Sequence, residues 1–359
     1  MKFPISMPNL GQREREYLLD AYDSSWISSS GEYIERFEKS FSSYQDSGYG
    51  ISTSNGTTAL HLALLALSIK KGDEVIVPDL TFVATINAVL YVGATPVIVD
   101  VSSINGCIDP NLIKEKISRN TKAIICVHLF GNLCEMDKIQ EIAKNNNLFV
   151  VEDCAQAHGA TYNDKKVGSF GDIGCFSFYG NKIITTGEGG MCVTDNVNYA
   201  NKMKVLRDHG MDQRKRYWHN DIGYNYRMTN IQAAIGLAQL ERIDNILQNR
   251  SKHDEIHRKF FSTNSVLRFI NSQSRGSVTW LTTIMIADSI NKKRIIDQLT
   301  NKNIEVRRLF YPLSDMPIYR KFCNENTSIS HAMAEQGISL PTYSDLNKIN
   351  EYKKNLNKL

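Results

Sequence analysis

The chain has 359 residues, enough to bury a large core in one main domain and a smaller companion. Its 42 basic and 38 acidic residues give a formal charge of +4, which is too small to predict nucleic-acid binding. Seven cysteines without a C-x-x-C pair argue against a disulfide framework or a zinc ribbon. Because no apolar run approaches the ~20 residues of a membrane span and the N-terminus lacks an apolar signal core, we expect a cytoplasmic protein without membrane association.

The first predicted strand-to-helix junction carries the residue types of a phosphate site. A strand predicted at residues 49–53 is followed by Ser54-Asn-Gly-Thr57, which opens an amphipathic segment reaching Leu67. A helix N-terminus offers free N–H groups to an anion, and Gly56 lets the backbone approach closely. Since Ser, Asn and Thr are also ordinary cap residues, a plain capped helix is the alternative interpretation.

Strand-like runs alternate with helix-length stretches in the first half of the chain. They cover residues 74–77, 96–100, 123–127 and 148–151. This alternation predicts an α/β fold, with a mostly parallel central sheet and helices on both faces. The run at 148–151 is typical of a buried parallel strand, which places Asp153 at its carboxyl end, where open α/β sheets bind ligands.

Two further strand-like runs, residues 175–178 and 191–194, flank Lys182 and place it on a loop. A lysine that reaches the neutral amine near pH 7 and a carboxylate facing the pyridine nitrogen are required to hold a pyridoxal 5′-phosphate Schiff base. Lys182 and Asp153 are the candidates. Taken singly, a lysine is usually on the surface and an Asp after a strand is often a helix cap, so the prediction depends on their joint occurrence.

The second half of the chain is predicted to begin with a helix near Asn230, which carries apolar residues on one face. We place the domain boundary just after it, giving a large domain of residues 1–243 and a small C-terminal domain of residues 244–359. The basic segment 214–219 is either an exposed loop or a contact for a nucleotide diphosphate.

The histidines and cysteines outside these segments predict structural roles. His128, His158, His209 and His219 lack metal-ligand spacing, so no metal site is expected, and His158 is interpreted as a structural residue. Cys126, Cys175 and Cys192 lie in apolar runs and are predicted to be core thiols.

Six segments together resemble one known family. They are residues 54–60, 78–82, 152–156, 177–182, 186–190 and 223–235. In this order they resemble the DegT/DnrJ/EryC1/StrS nucleotide-sugar aminotransferases, over residues 3–343. The resemblance implies an α/β fold of the PLP-dependent aspartate aminotransferase type (fold type I), with a smaller C-terminal α+β domain.

The resemblance also implies roles around the cofactor ring. Lys182 would be the Schiff-base lysine, Asp153 would pair with the pyridine nitrogen, and Gln156 would bond the ring 3-oxygen. Phe82 would stack on the ring.

The same resemblance implies the phosphate ligands and an assembly. Gly56, Thr57 and Ser177 would hold the phosphate, and Asn225 would reach it from the neighbouring subunit. A homodimer with shared active sites follows. The resemblance is weaker near the expected substrate end, where relatives commonly carry proline in place of Arg308 and histidine in place of Ser314.

The reaction implied by the resemblance is the transfer of an amino group from L-glutamate to a keto group of a nucleotide-linked deoxy sugar. Residues 180–190, 216–219 and 223–226 are most similar to members that aminate C4 of a 4-keto-6-deoxyhexose, for O-antigen or other surface glycans. The sequence leaves the nucleotide (GDP, dTDP or UDP) and the C4 configuration open.

Two alternatives to the aminotransferase remain. A PLP-dependent sugar dehydratase of this family typically has histidine in place of the lysine, and a catalytically silent relative would have lost Lys182, Asp153 or the phosphate site. Lys182 argues against the first alternative, and the joint presence of Lys182, Asp153 and the phosphate site argues against the second.

Overall fold

A computed structural model describes residues 2–263, 265–270, 276–323 and 327–357. The helices and strands up to residue 240 are, in chain order, α1 (Gln12–Asp23), α2 (Glu32–Tyr44), β1 (Tyr49–Thr53), α3 (Gly56–Ala66), β2 (Glu74–Pro78), α4 (Ala84–Tyr91), β3 (Thr95–Val99), α5 (Pro110–Lys116), β4 (Thr121–Val127), α6 (Met136–Asn146), β5 (Phe149–Asp153), β6 (Thr161–Tyr162), β7 (Lys165–Lys166), β8 (Ile173–Ser177), β9 (Gly190–Thr194), α7 (Val197–Arg207) and α8 (Asn230–Leu240).

The remaining elements follow from residue 243. They are α9 (Ile243–Phe260), β10 (Leu267–Phe269), β11 (Thr282–Ile286), α10 (Ser289–Asn301), β12 (Arg307–Arg308), α11 (Ser328–Gln336), β13 (Gly337–Leu340) and α12 (Leu346–Leu356). Single 3-10 turns lie at Leu129–Gly131, Leu313–Asp315 and Arg320–Phe322.

The larger sheet has the strand order β1-β9-β8-β5-β4-β2-β3. The neighbouring strands β8, β5, β4, β2 and β3 pair in parallel. Between these strands a helix or a long loop returns the chain to the same end of the sheet each time. Strand β9 is antiparallel to both β8 and β1, since the loop after β8 turns straight back without a helix. The predicted mostly parallel sheet is confirmed, and the predicted loop between two strands carries Lys182.

The carboxyl ends of four strands meet at one edge of this sheet. Strand β5 ends at Asp153 and β8 at Ser177, while β1 leads directly into α3 and β2 into the loop containing Phe82. Parallel strands bring these ends together although the residues are far apart in the chain. The fold therefore gathers the predicted cofactor residues at this edge.

Both faces of the larger sheet are covered by helices, as the apolar strands require. Helices α3, α4 and α7 pack on one face, and α2, α6 and α8 pack on the other. On the second face Phe41 contacts Phe176 and Phe178, with ring centroids 4.9 and 5.2 Å apart. Each such fully buried side chain stabilises the fold by about 1.5–3 kcal/mol. Cys126, Cys175 and Cys192 are buried in these layers, as predicted.

The smaller sheet is antiparallel throughout, with the order β10-β11-β13-β12. Residues of α10 and α12 share its apolar cluster, which gives the C-terminal α+β arrangement expected from the sequence. Phe3 from the N-terminus joins the same cluster, and its N–H donates to the carbonyl of Asn303 at 3.0 Å. The division at residues 243 and 244 stays a prediction. Within the described ranges no helix has both the length and the apolar character that a bilayer crossing needs.

Candidate active site

A cavity of about 770 Å³ opens at the carboxyl edge of the larger sheet. Its wall contains seven of the eight residues predicted for the cofactor site: Gly56, Thr57, Phe82, Asp153, Gln156, Ser177 and Lys182. Asn225 is exposed and lies outside this wall, where its side chain accepts a hydrogen bond from Arg227 at 3.1 Å.

The N-terminus of α3 forms one end of the cavity. Asn55 caps it by accepting a hydrogen bond from the Thr58 N–H at 2.9 Å, while the Thr58 hydroxyl accepts from the Asn55 N–H at 3.2 Å. The cap leaves the first-turn N–H groups of Gly56 and Thr57 without an intrahelical acceptor. A Cβ atom on Gly56 would lie 2.6 Å from Cβ of Ser177, so only glycine permits this close approach. The geometry suits a phosphate group.

Asp153 lies buried at the end of β5. Its two oxygens accept hydrogen bonds from the Ala155 N–H at 3.1 Å and from the Thr85 hydroxyl at 3.0 Å. Burial raises the pKa of the Asp153 carboxyl, whereas these two bonds and the charge of Lys182 oppose that rise. A buried carboxylate facing a cavity is the group that a protonated ring nitrogen requires as its partner.

Lys182 follows β8 on the loop predicted from the sequence. Burial lowers the pKa of Lys182 to about 8, and the charge of Asp153 only partly opposes this. At neutral pH the side chain therefore has an appreciable neutral fraction, which a nucleophile or a base needs. Its Nζ atom lies 4.4 Å from the centroid of the Trp280 ring.

Gln156 is oriented by the loop that follows β4. Its Oε1 accepts a hydrogen bond of 2.7 Å from the Phe130 N–H, which fixes the oxygen on that side and turns the amide NH₂ away from it. Phe130 has a φ of 57°, a left-handed value that is uncommon for a bulky residue and is held here by packing and this bond. The strained turn thus presents a hydrogen-bond donor in the cavity wall.

Aromatic rings form another part of the cavity wall. Phe82 lies 5.9 Å from Phe310, and Phe130 is nearly parallel to both Phe310 and Trp280 at 6.0 and 6.2 Å. We call these four residues the aromatic wall. Such rings favour a flat, conjugated ligand between them and the sheet edge.

The comparisons with known proteins agree with this geometry. The pattern of the DegT/DnrJ/EryC1/StrS aminotransferase family matches residues 8–352. The chain belongs to this family. The GDP-perosamine synthase of Escherichia coli O157:H7 is 44% identical over 349 residues, which are 96% of this chain and 95% of that protein.

Solved structures extend the comparison to three dimensions. PseC of Helicobacter pylori, an aminotransferase of pseudaminic acid biosynthesis, superposes with a TM-score of 0.92 at 27% identity, covering 100% of this chain and 99% of PseC. The PLP form of the sugar aminotransferase Spr1654 from Streptococcus pneumoniae gives 0.87 at 28% identity, covering 99% and 98% of the two chains. The protein has the fold of the PLP-dependent aminotransferases, and its cofactor is pyridoxal 5′-phosphate.

Two positions that depart from the family pattern have different locations. Arg308 lies in the cavity wall. Ser314 does not: its N–H and its hydroxyl donate to the two carboxylate oxygens of buried Asp79, at 2.8 and 2.9 Å. The short side chain of Ser314 is thus satisfied by the loop after β2, and the place of both residues at the substrate end stays a prediction.

The buried histidines near the site have structural environments. His158 packs against Phe176 and Phe178, and burial, followed by the charge of Lys182, lowers its pKa to about 3. His128 lies with Cys126 and Cys134 in a group that has metal-ligand atom types. Its Nδ1 accepts from the Cys134 N–H at 3.3 Å and its Nε2 faces Glu152 at 3.2 Å, so both ring nitrogens are already engaged within the core.

Sequence reasoning missed the part of the wall that comes from the second half of the chain. Trp280, Phe310 and Arg307 line the cavity but belong to no motif, and Phe130 was not singled out either. The signal that was available is weak: an isolated tryptophan just before an apolar strand and an arginine pair after a helix.

Proposed function

We propose that the protein is a GDP-perosamine synthase-like aminotransferase that transfers the amino group of L-glutamate to C4 of a nucleotide-linked 4-keto-6-deoxy sugar. The observation that carries the proposal is Lys182 with its lowered pKa, in one cavity with buried Asp153. The 44% identity to GDP-perosamine synthase over nearly all of both chains supports the sugar substrate. A dTDP- or UDP-linked 4-amino sugar is the alternative product within the same reaction.

We also propose a biological role, a cellular location and an assembly for the enzyme. A GDP-perosamine-like product supports a role in O-antigen or other surface glycan synthesis. We place the enzyme in the cytoplasm, in agreement with its buried thiols, and as a homodimer with shared active sites. The exposed position of Asn225, outside the cavity of its own subunit, supports a contact with the neighbouring site.

The residues present fit the cofactor. Gly56 and Thr57 with Ser177 would hold its phosphate, and Asp153 its ring nitrogen. Gln156 would donate its NH₂ to the ring 3-oxygen, since the Oε1 of this side chain is already occupied. When bound, pyridoxal 5′-phosphate supplies a carbonyl group that accepts and returns the amino group and a ring that withdraws electrons from the reacting carbon.

The protein's own contribution to the chemistry is centred on Lys182. In the first half-reaction its neutral Nζ removes the Cα proton of glutamate, and in the second its ammonium delivers a proton to C4 of the sugar. A pKa of about 8 gives the side chain both forms near neutral pH, so that one residue can serve in both directions. Asp153 holds negative charge where the ring nitrogen would lie, and the buried Trp280 ring beside Lys182 would limit the access of water to the lysine.

A two-stage assay tests the proposal. The purified holoenzyme should release one equivalent of 2-oxoglutarate per site from glutamate alone, and then aminate one of the GDP-, dTDP- or UDP-4-keto-6-deoxy sugars, with the product identified by mass. Lys182→Ala should do neither. If 2-oxoglutarate appeared only when both substrates were present, the mechanism would be wrong. If the sugar lost oxygen without gaining nitrogen, the protein would be a dehydratase instead.

A further inference from the structure

The two halves of the cavity wall differ in the charges they carry. On the side of the larger sheet, Lys182 faces Asp153, Glu188 adds a second carboxylate, and the N-terminus of α3 offers N–H groups. On the side of the smaller sheet, the charged residues are Arg307 and Arg308 of β12. The groups that fit the cofactor all lie on the side of the larger sheet. The two arginines are therefore available to a substrate that enters the cavity beside the cofactor.

The two arginines are not equivalent. The guanidinium of Arg307 is paired with Glu305 at 2.9 Å, so its charge is largely compensated. Arg308 has no carboxylate within salt-bridge distance among the described residues. Its guanidinium carbon lies 3.1 Å from the centroid of the Tyr311 ring, and its Nε donates to the carbonyl of Leu309 at 3.3 Å. The terminal nitrogens therefore keep their donors on a guanidinium held in place by the tyrosine.

A second cation strengthens the positive potential beside Arg308. Burial and the neighbouring Arg308 guanidinium lower the pKa of Lys292, while Glu335 opposes them. Burial also lowers the pKa of Arg308. Lys292 thus feels the charge of Arg308, and no carboxylate of the described residues is paired with Arg308, so an incoming anion would stabilise this guanidinium.

We propose that Arg308 binds the diphosphate of the nucleotide sugar and so forms the anion subsite for the acceptor substrate. This inference rests on the proposed function. A guanidinium fork matches phosphate oxygens in geometry and charge. In a nucleotide sugar the diphosphate is attached at C1, across the ring from C4. When C4 lies at Lys182, the diphosphate lies further from the lysine, and the exposed Arg308 is the arginine of the cavity wall that is not paired with a described carboxylate.

Calorimetry on the PLP-loaded protein tests the subsite directly. The probes are GDP, dTDP and UDP, each compared with its nucleoside. Arg308→Gln should lower the affinity for the preferred nucleoside diphosphate by about 10-fold or more, as expected for a lost charge-assisted hydrogen bond. The affinity for the nucleoside should be unchanged. Arg308→Lys, which keeps the charge but not the fork, should give an intermediate affinity. Arg294→Gln is the matched control, because it removes the same charge from an exposed position on α10 outside the cavity wall.

Three outcomes would overturn the inference. Equal affinities of the parent and of Arg308→Gln for the nucleoside diphosphate would mean that Arg308 does not bind the diphosphate. The proposed function would be unaffected by that result. A higher glutamate requirement in the 2-oxoglutarate release assay, with nucleotide affinity unchanged, would assign Arg308 to the glutamate carboxylate. If none of the three diphosphates bound to a holoenzyme that converts glutamate, the nucleotide-sugar substrate itself would be wrong, and Arg308 would lose its role with it.

Discussion

The Nζ atom of Lys182 lies 4.4 Å from the centroid of the Trp280 indole, and the Trp280 Nε1 donates to the backbone carbonyl of Asn181 at 2.7 Å. One side chain thus contacts both the reactive lysine and the backbone next to it. Trp280 is itself held by buried Arg250, which donates to the carbonyls of Thr279 and Trp280. The loop that carries Lys182 is therefore positioned by residues from the second half of the chain.

This relationship predicts that Trp280→Phe impairs the lysine without removing it. The ring remains but the bond to Asn181 is lost, so Lys182 should be less well aligned. We expect the 2-oxoglutarate release step to slow by roughly 10- to 100-fold. The visible spectrum of the bound cofactor should be retained. Stopped-flow measurement of the glutamate half-reaction checks this, with exposed Trp26→Phe as the control. An unchanged rate in Trp280→Phe would mean that the indole only fills space.

The lowered pKa of Lys182 predicts a pH-dependent stability difference. Its folded-state pKa of about 8 is below the ordinary 10.5. The buried ammonium therefore lowers the free energy of unfolding by its full amount below pH 8, and by progressively less between pH 8 and 10.5. The cofactor-free Lys182→Met variant should therefore melt at a higher temperature than the cofactor-free parent at pH 7. The gap should narrow as the pH rises through that window. A gap independent of pH would contradict the lowered pKa.

Lys182 is also predicted to be the site of covalent cofactor attachment. Borohydride treatment of the yellow holoenzyme should fix the cofactor on one peptide, and mass mapping should place it on Lys182. Lys166, which is also partly buried with a lowered pKa but lies outside the cavity wall, is the internal comparison. A label on Lys166 or on any other lysine would refute the assignment.

Asp153→Asn separates a role toward the cofactor from a role in folding. Because burial raises the pKa of Asp153, its charge is unfavourable for folding at every pH above that raised value. Asparagine removes this penalty, so the cofactor-free variant should be at least as stable as the parent at pH 7. The glutamate half-reaction should nevertheless slow by orders of magnitude. Normal turnover together with a stability loss of about 0.5–2 kcal/mol would instead indicate a local cap.

Gly56→Ala should weaken cofactor binding more than folding. The added Cβ would lie 2.6 Å from Cβ of Ser177, so the N-terminus of α3 must shift away from the phosphate position. We expect the dissociation constant for pyridoxal 5′-phosphate to rise by about 10-fold or more in an absorbance titration, since charge-assisted hydrogen bonds are lost. Gly48→Ala is a suitable control, because its Cβ would meet its nearest neighbour at an ordinary 3.6 Å. Equal affinities in the two variants would exclude this close approach as a requirement.

The proposed shared active site predicts complementation between two damaged subunits. If Asn225 serves the neighbouring site, a hybrid dimer of one Lys182→Ala and one Asn225→Ala subunit has both lesions in one site and none in the other. Such a hybrid, isolated with two affinity tags, should show about half of the parent activity per dimer. If Asn225 serves its own subunit, the hybrid would carry a lesion in each site, and its activity would not exceed that of the single variants.

The local features of the site were predictable because they depend on short-range chemistry. Alternating apolar runs predict strands whose carboxyl ends meet, which places Asp153 and Ser177 at one edge of the sheet. The Ser-Asn-Gly-Thr segment predicts a capped helix N-terminus, and the structure has that cap at Asn55. The loop position of Lys182 follows from the strands on either side of it.

The contributions of the smaller sheet were decided only by the tertiary structure. Trp280, Phe310 and Arg308 reach the cavity because that sheet packs across the edge of the larger one, and no periodicity within a segment encodes such a contact between distant segments. The lowered pKa of Lys182 depends in the same way on how many atoms surround it after folding. Ser314 turns to Asp79 instead of the cavity for a similar reason, since a short hydroxyl side chain bonds to whichever buried acceptor the packed loops bring within reach.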